Sequence, residues 1–150
     1  MPDTDYSSQT AAKEPFISTL RELARAYQAF SLYSEAFVRQ YDLTSAQFDV
    51  IATLGNTQGM STGEISDRTL ITKGTLTGVL DRLEKKHLVQ REVPPEDRRS
   101  VIVRLTADGE ALFEQVFPAH IADLKVRFQQ LEPSELELLK VLLGRLRQVF

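Results

Sequence analysis

Basic side chains are concentrated in one segment of an otherwise acidic sequence. Residues 68–104 contain nine Lys and Arg residues against five Asp and Glu, whereas the rest of the chain contains nine against sixteen. Because guanidinium and ammonium groups bind phosphate oxygens, this distribution predicts one surface that attracts a polyanion such as DNA and another that repels it. Clusters of this size also arise by chance, so the prediction depends on the elements that carry these charges.

Within the basic segment, one predicted helix has a small, polar and basic face. Leu76, Val79, Leu80 and Leu83 recur at helical spacing and predict its buried side. A helix that enters the major groove needs such a face to meet base edges and phosphates. The candidate DNA-binding residues on this helix are Lys73, Gly74, Thr75, Thr77, Gly78 and Arg82, with Asp81 on the same face. The two glycines have an alternative explanation, which is close packing against another helix.

A second basic group lies between two runs that are rich in β-branched residues. Residues 88–93 and 100–105 predict a β-hairpin, and Asp97, Arg98 and Arg99 lie at its tip. An Arg at such a tip can enter a narrow minor groove, and a carboxylate from Asp97 or Asp81 can orient it. The alternative is a solvated turn. Which arginine would reach DNA, and which would pair with a carboxylate, stays open.

Helical periodicity and capping residues predict the elements that position these groups. An amphipathic stripe from Phe16 to Tyr41 predicts one long helix, and residues 44–47 and 61–64 have the pattern of capping boxes that begin two shorter helices. Thr72 can cap the basic helix, which would end at Lys86. A further helix should run from Thr106 to about residue 131, with a kink or break at Pro118, and a last helix should follow Pro133. The short helix that begins at residues 61–64 and the basic helix that follows it are joined by a tight link, and this pair predicts a helix-turn-helix.

This order of elements resembles the MarR family of transcriptional regulators over residues 15–150. The most specific blocks are Leu80-Asp81-Arg82-Leu83-Glu84-Lys85-Lys86-His87-Leu88-Val89, then Pro95-Glu96-Asp97-Arg98-Arg99, then Leu105-Thr106-Ala107-Asp108-Gly109. The family usually has glycine where this chain has His87, and we expect that residue to adopt a left-handed backbone conformation as a helix cap.

The resemblance implies a mainly α fold with six helices and a small β-hairpin wing, dimerised through the N- and C-terminal helices. We expect a disordered tail at residues 1–14, a helical dimerisation region at 15–42 and 107–150, and a winged helix-turn-helix domain at 43–106. The implied partners are a double-stranded DNA operator, a second copy of the chain and a small aromatic or phenolic effector. Core or dimer packing is the alternative role for the aromatic residues of the implied effector pocket, which are Tyr27, Phe30, Tyr33 and Phe48.

Composition restricts the remaining functional classes. The chain has no cysteine, only two histidines and no apolar run long enough to cross a bilayer, so we expect a cytoplasmic protein with no cofactor or metal site. No nucleophile–His–carboxylate spacing or phosphate-binding loop predicts an enzyme. The predicted function is a ligand-responsive repressor that binds an inverted-repeat operator as a homodimer. The alternative is a helical, dimeric small-molecule-binding or interaction module without DNA recognition.

Overall fold

A computed structural model describes residues 6–97 and 99–150, which form seven helices and three short strands. The first half of the chain contains α1 (Ser8–Ala11), α2 (Phe16–Arg39), α3 (Ser45–Leu54), β1 (Met60–Ser61) and α4 (Thr62–Thr69). The second half contains α5 (Lys73–Lys85), β2 (Val89–Glu92), β3 (Ile102–Leu105), α6 (Ala107–Phe128) and α7 (Pro133–Gln148). The mainly α fold with a small hairpin is therefore confirmed.

Side-chain caps begin the helices where the sequence predicts them. Thr44 accepts a hydrogen bond from the Gln47 backbone N–H, and Ser61 accepts one from that of Glu64. In both cases the side chain of the third helical residue accepts a hydrogen bond from the backbone N–H of the cap residue, which completes a capping box. Thr72 caps α5 and Thr106 caps α6 in the simpler one-way form. These caps satisfy backbone donors that a helix leaves unpaired at its N-terminus.

The hairpin belongs to a three-stranded antiparallel sheet in the order β1-β3-β2. Val103 lies opposite both Met60 and Arg91, and its side chain is fully buried. The sequence does not predict β1, because a strand of only two residues, the second of which is the helix cap Ser61, carries no periodic signal. By pairing with Ile102 and Val103, this strand joins the half of β3 nearest the hairpin tip to the α3–α4 connection.

One apolar core connects the helices on either side of the hairpin. It includes Val38 of α2, Ile51 of α3, Ile65 of α4, Leu80 of α5 and Phe113 of α6. Because this cluster draws residues from both regions that the sequence analysis distinguishes, the division into a dimerisation region and a DNA-binding domain stays a prediction. Among the described residues, no helix combines the length and hydropathy needed to span a membrane.

Three details differ from the sequence prediction. The short helix α1, capped by Ser7, occupies part of the segment predicted to be a disordered tail, whereas residues 1–5 of that tail lie outside the described residues. Helix α6 continues through Pro118 rather than breaking there, and it ends at Phe128 instead of near residue 131. On α6, Ile121 and Phe128 are half exposed, although helical periodicity predicts them to face inward, and His120 is buried instead.

Candidate nucleic-acid interface

Helix α5 presents its small and basic face to solvent. Its apolar positions Leu76, Val79, Leu80 and Leu83 are buried in the core, as the helical spacing predicts. All six candidate DNA-binding residues of this helix are exposed, namely Lys73, Gly74, Thr75, Thr77, Gly78 and Arg82. The amphipathic division of α5 is therefore confirmed, and it leaves a polar surface with the chemistry that a major groove accepts.

Packing does not account for the two glycines of this surface. Among the described residues, a Cβ atom added at Gly74 or Gly78 would have no protein heavy atom within 4 Å apart from the helix's own backbone and chain neighbours. By contrast, a Cβ at Gly109 would lie 2.0 Å from the Leu88 carbonyl oxygen, so that glycine is required by close contact between elements. The packing explanation for Gly74 and Gly78 is therefore wrong. Glycine is destabilising inside a helix, so these two positions need another explanation.

The wing tip is ordered by a carboxylate that binds the turn itself. Asp97 accepts hydrogen bonds from the Arg99 backbone N–H at 2.9 Å and from the Ser100 hydroxyl at 2.8 Å. These two donors lower the pKa of Asp97, the backbone donor more than the hydroxyl. Arg99 is exposed at the tip. The predicted role of Arg98 falls on a residue outside the described part of the chain.

Asp81 pairs with an arginine that the sequence analysis did not select. Arg91 of β2 donates from Nη2 to Asp81 Oδ1 and from Nε to Glu84 Oε2, both at 2.6 Å. These hydrogen bonds, the one to Asp81 first, raise the pKa of Arg91. Contacts between positions seven and ten residues apart on different elements leave no local pattern in the sequence.

Left-handed residues shape the two connections that flank α5. Leu70 has a φ of 62° between α4 and α5, and the Ser66 hydroxyl donates to the Ile71 carbonyl at 2.5 Å across the same link. His87 has a φ of 61°, which confirms the conformation expected from the sequence. Its carbonyl accepts a hydrogen bond from the Thr106 hydroxyl at 2.6 Å, so the end of α5 is connected to the start of α6.

An apolar groove of about 510 Å³ lies between α2 and α6 and contains two of the four aromatic residues predicted for an effector pocket. Phe30 and Tyr33 line it, together with Leu124, Arg127 and Phe128. The Arg127 guanidinium carbon lies 4.0 Å from the centroid of the Tyr33 ring, and the Tyr33 hydroxyl donates to Asp123. Tyr27, with 72% of its surface exposed, does not line this groove, and Phe48 belongs to the buried core.

Phe48 contacts a buried histidine at the junction of three helices. The ring of His120 on α6 stacks on Phe37 of α2 with centroids 4.5 Å apart, and Phe48 of α3 meets it edge-on at 5.3 Å. Nε2 of His120 lies 2.9 Å from the Ser34 hydroxyl, whereas the buried Nδ1 has no hydrogen-bond partner among the described residues. Burial lowers the pKa of this imidazole, and Asp123 opposes the shift. In the sequence, His120 is only one of two histidines that are too few to predict a metal site.

Comparisons with known proteins agree with this arrangement. The model of the MarR family matches residues 43–101. The Bacillus subtilis HTH-type transcriptional regulator MhqR is 29% identical over 123 residues, which are 82% of this chain and 85% of that protein.

Two solved structures have the same fold. The first is BpsR of Bordetella bronchiseptica, whose DNA binding is regulated by 6-hydroxynicotinic acid. It is 32% identical to this chain with a TM-score of 0.77, and the match covers 87% of this chain and 98% of that one. The second, a mutant of Escherichia coli MarR complexed with operator DNA, is 28% identical with a TM-score of 0.79, and the match covers 89% of this chain and 99% of that one.

Proposed function

Because this chain belongs to the MarR family of DNA-binding transcriptional regulators, we propose that it is an effector-responsive repressor that binds an inverted-repeat operator as a homodimer. Family members are regulators and not enzymes. The observation that carries the proposal is the exposed face of α5, where two glycines that packing does not require lie beside Lys73, Thr77 and Arg82. A surface of this kind lets a helix backbone come close to base edges and phosphates.

In the proposed complex, α5 enters the major groove and the wing reaches the adjacent minor groove. Arg98 and Arg99 supply the wing contacts, and Asp97 keeps the turn in shape through its hydrogen bonds to the Arg99 backbone and Ser100. A two-fold dimer contacts two half-sites whose centres are about one helical turn apart, ~10–10.5 base pairs. Occupation of such a site within a promoter excludes the transcription machinery.

The effector site that we propose is the groove between α2 and α6. Its walls are apolar, and Tyr33 and Arg127 add a phenolic hydroxyl and a cation at one side. This chemistry suits a small aromatic molecule that carries a hydroxyl or carboxylate group, and 6-hydroxynicotinic acid, which regulates the DNA binding of BpsR, is a molecule of this class. Because α2 and α6 both pack on α3, a ligand between them can change the position of the DNA-binding elements.

The experiment that tests the proposal measures DNA binding at several salt concentrations. The wild-type protein first selects a duplex from a random-sequence pool, and a scrambled duplex of the same composition is the control. We expect tighter binding to the selected duplex and a linear fall of log affinity with log salt concentration. Replacing Arg98 and Arg99 by Ala should weaken binding to both duplexes and flatten the slope by roughly one unit for each phosphate that is no longer bound. Equal binding to both duplexes by the wild type, or an unchanged slope in the variant, would contradict the proposal.

A further inference from the structure

Two acidic side chains lie on the face of α5 that should meet DNA. Gly78 is four residues after Gly74, Asp81 is three residues after Gly78, and Glu84 comes one turn later on the same stripe. Both residues are exposed. Carboxylates repel phosphates, so their position on this stripe opposes binding unless they have another role.

Both carboxylates bind the same side chain, that of Arg91. Its guanidinium lies between them with two hydrogen bonds of 2.6 Å, and 30% of its side chain is exposed. A planar guanidinium held by two carboxylates has a fixed position and a fixed angle, which a single ion pair does not impose. Arg91 belongs to β2, where it lies opposite Val103 of β3, so fixing its side chain also fixes the hairpin.

We propose that Arg91 is a positioning residue for DNA binding, which holds the wing at a set distance and angle from the recognition helix by binding Asp81 and Glu84. The wing and α5 are thereby held ready to enter adjacent grooves of one duplex, and the entropy of ordering them is not lost on binding. This inference rests on the proposed function, because it assumes that both elements contact DNA. Arg91 itself need not touch the duplex.

The hairpin offers a matched control within the same sheet. Arg104 of β3 donates to Glu92 of β2 at 2.7 Å, and both side chains are about as exposed as those of Asp81 and Glu84. This ion pair joins the two strands of the wing to each other but does not reach α5. Replacing Glu92 by Gln removes a carboxylate from a comparable exposed bridge without releasing the wing from the helix.

The decisive variant combines Asp81→Asn with Glu84→Gln and is tested with the full-length chain on the selected and scrambled duplexes. Removing two negative charges from a DNA-facing helix should strengthen binding if electrostatic repulsion is all that changes. Loss of the clamp on Arg91 should instead weaken binding to the selected duplex by about threefold to tenfold, the range expected for a networked, partly exposed ion pair. Binding that is unchanged or tighter would overturn the inference.

Four further variants complete the test. Arg91→Gln should lose a similar factor, and the triple variant should be no weaker than either parent, because both changes remove the same clamp. Arg91→Lys keeps the charge but cannot bind both carboxylates with one planar group, so it should also lose affinity; full affinity in this variant would overturn the inference. Glu92→Gln should bind within about twofold of the wild type, as expected for a surface ion pair.

The controls separate a failed inference from a failed function. Circular dichroism and urea unfolding must show that every variant keeps the wild-type fold, which the exposure of these side chains favours. If the wild type does not discriminate between the two duplexes, the proposed function is wrong. If the wild type discriminates but loss of both carboxylates costs no affinity, only the role of Arg91 is wrong.

Discussion

At the scale of single residues, Gly74 and Gly78 place stability and function in opposition. Within residues 6–97 and 99–150, neither glycine has a neighbour that excludes a Cβ atom, so each lowers helix stability without a structural need there. Gly74→Ala or Gly78→Ala should raise the free energy of unfolding by about 1 kcal/mol each, the usual difference between glycine and alanine inside a helix. If the backbone of α5 approaches DNA at these positions, the same variants should bind the selected duplex more weakly.

Urea unfolding and DNA titration of the same preparations measure the two effects. Gly63→Ala is the matched control, because among the described residues its Cβ would meet only the Ser61 hydroxyl at 3.9 Å, on a helix to which we assign no DNA contact. This variant should leave DNA affinity unchanged. Alanine variants of Gly74 and Gly78 that are more stable and bind DNA as well as the wild type would show that the glycines serve no contact with DNA.

His87 permits a second prediction at this scale, which concerns stability alone. A non-glycine residue in the left-handed region costs roughly 1–2 kcal/mol, and His87 has a φ of 61° at the end of α5. His87→Gly should therefore raise the free energy of unfolding by about 1 kcal/mol. His87→Ala retains the Cβ atom and should give no such gain. Equal stability of the Gly and Ala variants in urea would mean that the backbone at this position is not strained.

At the scale of elements, the sequence predicts the features that depend on residues close together in the chain, such as helix starts and buried helix faces. Thr44 with Gln47 and Ser61 with Glu64 locate two helix starts because a capping box is complete within four residues. The buried stripe of α5 follows from spacing alone. The wing clamp could not be predicted in the same way, because Arg91 meets Asp81 and Glu84 only after β2 folds back on α5.

The candidate effector site could also be predicted only in part, because some of its residues come together only when the helices pack. Phe30 and Tyr33 are one turn apart on α2, so their presence on one face of the groove follows from helical spacing. Phe48 is aromatic and close in the fold, yet it packs against His120 rather than lining that groove. Which side of α3 faces the groove depends on how three helices cross, and a single sequence contains no direct record of that angle.

The junction of α2, α3 and α6 is predicted to make stability depend on pH. His120 is buried against Phe37 and Phe48, with Ser34 of α2 as its hydrogen-bond partner and Asp123 one turn along α6 as the nearby acid. Burial lowers the pKa of His120 in the folded state, so the unfolded chain binds a proton at higher pH than the folded chain does. Stability is therefore complete above the unfolded pKa of about 6.5 and decreases as the pH falls below it towards the folded pKa.

Urea unfolding between pH 5 and pH 8 measures this dependence, in about the range where an unperturbed histidine changes charge. His120→Gln should remove most of the slope, because the amide does not titrate. His87→Gln is the control, since His87 is the other histidine and is exposed; it should leave the slope unchanged. A slope that persists in His120→Gln would assign the pH dependence to other groups.

At the scale of the whole molecule, the terminal helices carry apolar surface that one subunit does not cover. Helix α7 is described over all sixteen of its residues and none of them is buried, while α2 buries only Val38 among twenty-four. A helix with so little packing is marginal on its own, because most helical stability in proteins comes from an apolar face buried by tertiary or quaternary contacts. Outside the effector groove, the half-exposed or exposed apolar residues of these helices and of α6 include Phe16, Leu20, Leu23, Leu32, Ile121, Val126, Leu138, Leu139, Val141, Leu142 and Leu143.

A second copy of the chain is the occupant that we expect on this surface, in keeping with the proposed two-fold operator. Sedimentation at micromolar concentration should give twice the 17.0 kDa mass of one chain, and the melting temperature should rise with protein concentration because association stabilises the folded state. The double variant Leu139→Glu, Leu143→Glu should dissociate the dimer, since it places two charges in an apolar interface. Leu139→Met, Leu143→Met keeps the apolar character and should remain dimeric.

Dissociation should also change how the protein binds DNA. A dimer engages two half-sites at once, so the second contact benefits from a high effective concentration that a monomer lacks. The Glu variant should therefore bind a duplex with both half-sites about as weakly as a duplex with one, whereas the wild type should bind the two-site duplex far more tightly. A monomeric variant that retained the full preference for two half-sites would show that the terminal helices do not join the subunits that bind DNA.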